Sequence, residues 1–166
     1  MEFRFFVVPL HQKNTMDMEI KVEISNITHE DLVNLLSTTL YGSPTFVGRL
    51  LEECEGLETS EEFPSECVED KMANVLLYGG EICIIDVDGG EIFKNKGVFS
   101  RLTDDDEGEY HFGLEAVKNG LKKALESKEN YIRLAAFNFL VDDGTFDASD
   151  AEVLIQMILF GEVIYG

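Results

Sequence analysis

The chain is short of positive charge. Thirteen lysines and arginines face 33 aspartates and glutamates over 166 residues, a formal net charge of −20. A field of that sign disfavours direct contact with nucleic-acid phosphates or an anionic membrane surface. Long apolar runs are also missing, and none approaches the ~18 residues a membrane helix needs. The N-terminus, MEFRFFVVPLHQKN, has an apolar core only from Phe5 to Leu10, interrupted by Pro9. With Glu2 and no small-residue cleavage site, it does not read as a secretory signal. Cysteine is sparse: Cys54, Cys67 and Cys83, with no CxxC pair. His11, His29 and His111 are far apart in sequence, so no local ligand pair starts a zinc site, and no metal centre is expected. Reduced thiols in a cytoplasm are the expectation.

Catalytic signatures are lacking too. There is no phosphate-binding GxxxxGK[ST], no GxGxxG, no GxSxG and no HExxH; His29-Glu30 is not followed by a second histidine. No cysteine has a histidine close by in sequence. Basic residues interleaved with aromatics are absent apart from lysines at 118, 122, 123 and 128, which are expected to pair with Glu115, Glu126 or acidic loops. Tyr131, Phe137 and Phe139 are expected to be core.

What is abundant is acid, unevenly placed. Glu52, Glu53, Glu55, Glu58, Glu61, Glu62, Glu66, Glu69 and Asp70 form one run, and Asp104, Asp105, Asp106, Glu107 and Glu109 a second. After Arg133 there is no further base. Such runs ordinarily make a solvated, solubilising surface.

Hydrophobic residues make up 45% of the chain, enough for a core. Residues 1–17 read as an N-terminal extension and 18–166 as a single domain, folded structure starting near Met16 or Met18. Met18 to Ser25 alternates like a half-buried strand. Thr28 caps a helix whose third position is Asp31, and Tyr41-Gly42-Ser43-Pro44 stops it. Residues 45–51 read as a short helix and 52–66 as a loop. Val68, Met72, Val75 and Leu76 mark a second helix, ended by Gly79-Gly80. Ile82 to Val87 is a branched-rich strand, with Asp88-Gly89 as a hairpin signal. Further strands are expected at 97–102 and 109–112. Helices follow from Leu114, over 130–140 and over 148–160, and a last strand over 162–165. The order gives an α+β fold: a small, mainly antiparallel sheet, a meander, with four to five helices on one face.

Two acidic stretches invite a chemical reading. Val141-Asp142-Asp143-Gly144 leads into an apolar helix, as a calcium loop does. With Gly144 at position 6 of an EF-hand loop, Phe139 and Val141 occupy ligand positions and Asp150 stands where glutamate is required. The register fails, and Asp147 reads instead as the cap of the last helix, worth ~1 kcal/mol. Asp86-Val87-Asp88-Gly89, behind an apolar strand, is similar to the nucleophile loop of haloacid-dehalogenase-like phosphatases. Gly90 stands where the usual threonine would, and too little chain follows for a doubly wound sheet.

Three stretches, ITHEDLVNLLSTTLYGS, EDKMANVLLYGGEICIIDVD and AEVLIQMILFGEVIYG, carry a resemblance. The chain resembles small acidic proteins of unknown function encoded on phages and conjugative elements of gut bacteria. Leu40 to Ser43, Met72 to Asp88 and Leu159 to Gly166 match their recurrent elements, and the likeness covers most of the chain after about Ile20. It implies an accessory role of a mobile element in a bacterial cytoplasm and brings no catalytic residues with it.

The expected function is therefore non-enzymatic and needs no cofactor: an acidic surface that engages a basic protein partner. In one version it is a nucleic-acid mimic directed at host defence, with Glu52, Glu53, Glu55, Glu58, Glu61, Glu62, Asp104, Asp105, Asp106 and Glu107 as the contact surface. The alternative is a small divalent-metal protein or enzyme using Asp86, Asp88, Asp142 and Asp143.

Overall fold

The computed structural model describes residues 2–9, 18–43, 45–51, 54–59, 65, 67–87, 101–102, 108–141 and 144–165. Strands β1 (Glu2–Pro9) and β2 (Met18–Ser25) pair antiparallel, from Glu2 opposite Ser25 to Pro9 opposite Met18. The chain turns out of β2 at Asn26, whose φ of 59° lies in the left-handed region that asparagine tolerates better than most residues. Helix α1 (His29–Gly42) then starts in a reciprocal cap. Thr28 Oγ1 accepts from the Asp31 amide at 3.2 Å, and the Asp31 carboxylate accepts from the Thr28 amide at 2.8 Å.

Where a short helix is expected over 45–51, the structure has a strand, β3 (Phe46–Arg49). Phe46 and Val47 suit a strand and Gly48 disfavours a helix, and the edge of β4 (Ile82–Asp86) offers an antiparallel ladder, Phe46 opposite Asp86 and Arg49 opposite Cys83. Between them lies α2 (Val68–Leu77), closed by Gly79 and by the Gly80 amide donating to Val75 O at 2.8 Å. β4 pairs on its other side with β6 (Glu109–Phe112), and β5 (Arg101–Leu102) pairs with β6. The sheet runs β3-β4-β6-β5 with every pair antiparallel. Residues 88–100, which include the expected hairpin tip and the start of the 97–102 strand, lie outside the described residues.

Strand alternation sorts the sheet into two faces. Phe46, Ile82, Ile84, Tyr110 and Phe112 are fully buried and point toward the helices. Gly48 sits against Leu40 of α1 and Met72 of α2, and Tyr110 packs edge-on against Phe160 with ring centroids 5.0 Å apart. Burying side chains of this size contributes roughly 1.5–3 kcal/mol each. At the sheet end, Gly108 holds φ +84°, and a Cβ there would meet Asp86 O at 2.7 Å, so only glycine fits.

The remaining helices are α3 (Leu114–Leu125), α4 (Asn130–Val141) and α5 (Ala148–Leu159). α5 packs on α1, α3 and α4 and buries Leu154, Ile155, Met157, Ile158 and Leu159. It approaches α3 so closely that a Cβ at Gly120 would stand 2.6 Å from Ile158 Cα. The fold is α+β, with five helices among the described residues.

The strand expected over 162–165 does not form. After Gly161 the chain runs beside α5, and the amides of Ile164 and Tyr165 both donate to Gln156 Oε1 at 2.7 Å. The Gln156 amide nitrogen donates in turn to Tyr165 O at 3.3 Å. A buried side chain thus supplies what a neighbouring strand would have supplied.

Candidate functional site

The sheet face turned away from the helices carries the densest mixture of reactive groups among the described residues. β4 contributes Cys83, and β6 contributes Glu109 and His111, two residues apart and so on the same face. Cys83 and His111 are direct cross-strand partners, and Glu109 is one step diagonal. All three are buried. Cys83 Sγ lies 4.0 Å from Glu109 Oε2. One donor atom from each of the three falls within 4.8 Å of the other two. Arg49, opposite Cys83 on β3, reaches across to form an ion pair and hydrogen bond with Glu109 Oε2. The half-exposed guanidinium compensates a carboxylate whose burial alone would be costly.

Sequence spacing left this cluster out because its members are 26 and 28 positions apart, and only strand pairing unites them. The signal that was there is Glu109-Tyr110-His111-Phe112: alternation puts an acid and an imidazole on one side of a strand and two aromatics on the other. Cys83 is wholly buried, which suits a ligand or packed thiol better than a nucleophile that has to reach a substrate. Cys67 is more accessible but is held as a thiol, its pKa pushed up to about 11 mainly because it donates to Asp70 Oδ2 at 2.8 Å.

Of the four aspartates weighed as a metal site, Asp86 is the one described; Asp88, Asp142 and Asp143 lie outside the described residues. Asp86 is buried, on the helix-facing side of β4, and accepts a hydrogen bond from the Tyr165 hydroxyl. Burial, and then the Asp86 charge, push the Tyr110 phenol up to about 12. At the other acidic stretch, Asp147 accepts from the amides of Ser149 and Asp150 at 2.9 and 3.0 Å, the expected cap. Asp150 accepts from Asn138 Nδ2 at 2.8 Å and so ties α4 to the start of α5.

Of the proposed contact surface, Glu55 is exposed and Glu58 half-buried, its carbonyl accepting from Asn74 Nδ2 at 3.1 Å. Glu52, Glu53, Glu61, Glu62, Asp104, Asp105, Asp106 and Glu107 lie outside the described residues. Lys118 pairs with Glu115 at 2.7 Å, as its spacing predicts.

A second feature departs from the sequence reading. Phe139 is core, but Tyr131 and Phe137, expected there too, are 52% and 57% exposed. Leu134 and Val141 are exposed beside them, at 56% and 45%. Helical geometry puts these four along one strip of α4. α4 is apolar nearly all round, so the face that α5 does not cover is left in solvent. It contains no acid and one base, Arg133, in a chain of net charge −20. Beside the strip a groove of 480 Å³ runs between the end of α3 and the segment after α5. Glu126, Glu129 and Glu162 line it together with one base, Lys123, and with Tyr131, Ile132 and Met157.

No helix among the described residues is long and apolar enough to cross a membrane. Comparison of the chain with protein-family models, with curated proteins and with solved structures finds no match to any of them.

Proposed function

We propose that this chain is a non-enzymatic accessory protein that binds a basic protein partner, and that the contact is centred on α4 and its acid-lined groove. The observation that carries the reading is the pairing of an exposed apolar strip with three groove glutamates at its side. Protein interfaces combine an apolar, aromatic-rich centre with a polar rim in this way. Two features argue for a cationic occupant. The groove's three glutamates outnumber its one lining base, Lys123, so its balance is negative, and the overall field steers positive surfaces toward the chain. A second copy is a poorer occupant, since it brings a further −20 to the same surface. The resemblance to small acidic proteins of phages and conjugative elements supports an accessory role in a bacterial host. Nucleic-acid mimicry is one form such binding takes, with the partner a host nuclease.

The test is a pull-down from host lysate at low and high salt with three baits: the native chain, a Glu126→Gln/Glu129→Gln/Glu162→Gln variant and Phe137→Asp. A basic protein held by the native bait, released by salt and lost from both variants supports the reading. Equal capture by all three baits, or an acidic partner, rejects it.

A further inference from the structure

The buried cluster on the sheet face turned away from the helices is independent of α4 and has its own chemistry. Cys83, Glu109 and His111 present a sulfur, a carboxylate oxygen and an imidazole nitrogen, one each, mutually within 4.8 Å. We propose that they bind a single zinc-class divalent ion with three protein donors, leaving the fourth position to water.

The donor set selects the metal. Calcium and magnesium take oxygen ligands, whereas a thiolate and an imidazole favour zinc and its soft or borderline neighbours. Tetrahedral zinc with bonds of ~2.0–2.3 Å sets its ligands roughly 3.5 Å apart. The spacing here is wider by up to ~1.3 Å, a gap that side-chain rotation closes without moving the strands. The backbone is already in place: Cys83 and His111 are register partners, and the opposite faces of the same strands are locked into the core by Ile82, Ile84, Tyr110 and Phe112. Charge balances as well. Glu109 and an ionised Cys83 supply two negative charges to a doubly positive ion. The thiol proton is released to solvent on binding, so affinity rises with pH. Arg49 pairs with Glu109 and holds it in position when no ion is bound, and it competes for the same carboxylate when one is. Its half-exposed side chain has solvent to turn into.

Cobalt(II) is the probe, because thiolate ligation gives it a charge-transfer band. Titration of the full chain is expected to raise that band to saturation at one ion per chain, and zinc is expected to abolish it. Cys54→Ser and Cys67→Ser keep the band, and Cys83→Ser loses it. His111→Gln weakens cobalt binding by at least about a hundredfold, given that even residues beyond the ligands cost 10–100-fold. Should Cys83→Ser fail to fold by circular dichroism, His111→Gln decides the matter against the two cysteine controls. No thiolate–cobalt band in the folded native chain, or a band unchanged in His111→Gln, overturns the site. In that case Arg49, Glu109 and Cys83 form only a packed polar network.

Discussion

Tyr165 donates its hydroxyl hydrogen to a carboxylate oxygen of Asp86, 79 positions earlier in the chain. The contact fastens the segment after α5 to the end of β4, and Phe46 lies against the Tyr165 ring at a centroid distance of 6.3 Å. Tyr165→Phe keeps the ring and removes the bond to a buried charged group. It is expected to lower the unfolding free energy by roughly 1.5–3 kcal/mol. Urea denaturation measures this, and a midpoint unchanged from the native chain contradicts it.

Gly120 lies where α3 crosses α5. Alanine is the better helix former by about 1 kcal/mol, so helix propensity alone favours Gly120→Ala. Packing opposes it, because the added methyl would meet the backbone and side chain of Ile158 at 2.6–2.8 Å. Overpacking of this kind costs roughly 1–3 kcal/mol. A net loss of stability in thermal unfolding is the expected outcome, and a gain would mean that the two helices separate easily.

Tyr110 sets an alkaline limit. Its phenol is raised from the ordinary 10 to about 12, first by burial and then by Asp86. The unfolded chain therefore releases this proton before the folded one does. Stability from this source is complete below pH 10 and is lost as pH climbs toward 12, at up to about 1.4 kcal/mol per pH unit. Tyr41 is displaced in the same direction, chiefly by Glu69, and reinforces the trend. Denaturation midpoints measured between pH 9 and 12 should fall, and Asp86→Asn should leave most of the Tyr110 displacement in place because burial is its larger cause.

Cys67 should react slowly despite its accessibility. A pKa of about 11 leaves far less thiolate at pH 8 than an ordinary cysteine has. Asp70→Ala removes the carboxylate that holds the thiol hydrogen, and alkylation by iodoacetamide should accelerate about tenfold or more. An unchanged rate would assign the slow reaction to steric cover.

Local rules were readable in the sequence wherever a single residue type does a single job. Thr28 with Asp31, Asp147 before α5, and Gly79-Gly80 after α2 each stand where their capping chemistry requires. The apolar period of α3 and the alternation in β6 were equally plain. Partnership was not readable. Phe46 to Arg49 is a strand because β4 lies next to it, and the segment after Gly161 is not one because Gln156 occupies its hydrogen bonds. The same applies to the sites. Cys83, Glu109 and His111 meet through strand register, a long-range fact that spacing cannot carry. The strip on α4 was hidden for another reason: a helix apolar on all sides does not say which side α5 will cover.

The Gln156 clamp has a mechanical consequence. One amide side chain grips Ile164 and Tyr165 from α5 while the Tyr165 hydroxyl is anchored on β4. A pull on the segment beyond Gly161 thus loads a helix and a strand at once, with the grips side by side. Under tension the segment should hold, then come away in a single rupture, carrying force into the core up to the moment it lets go.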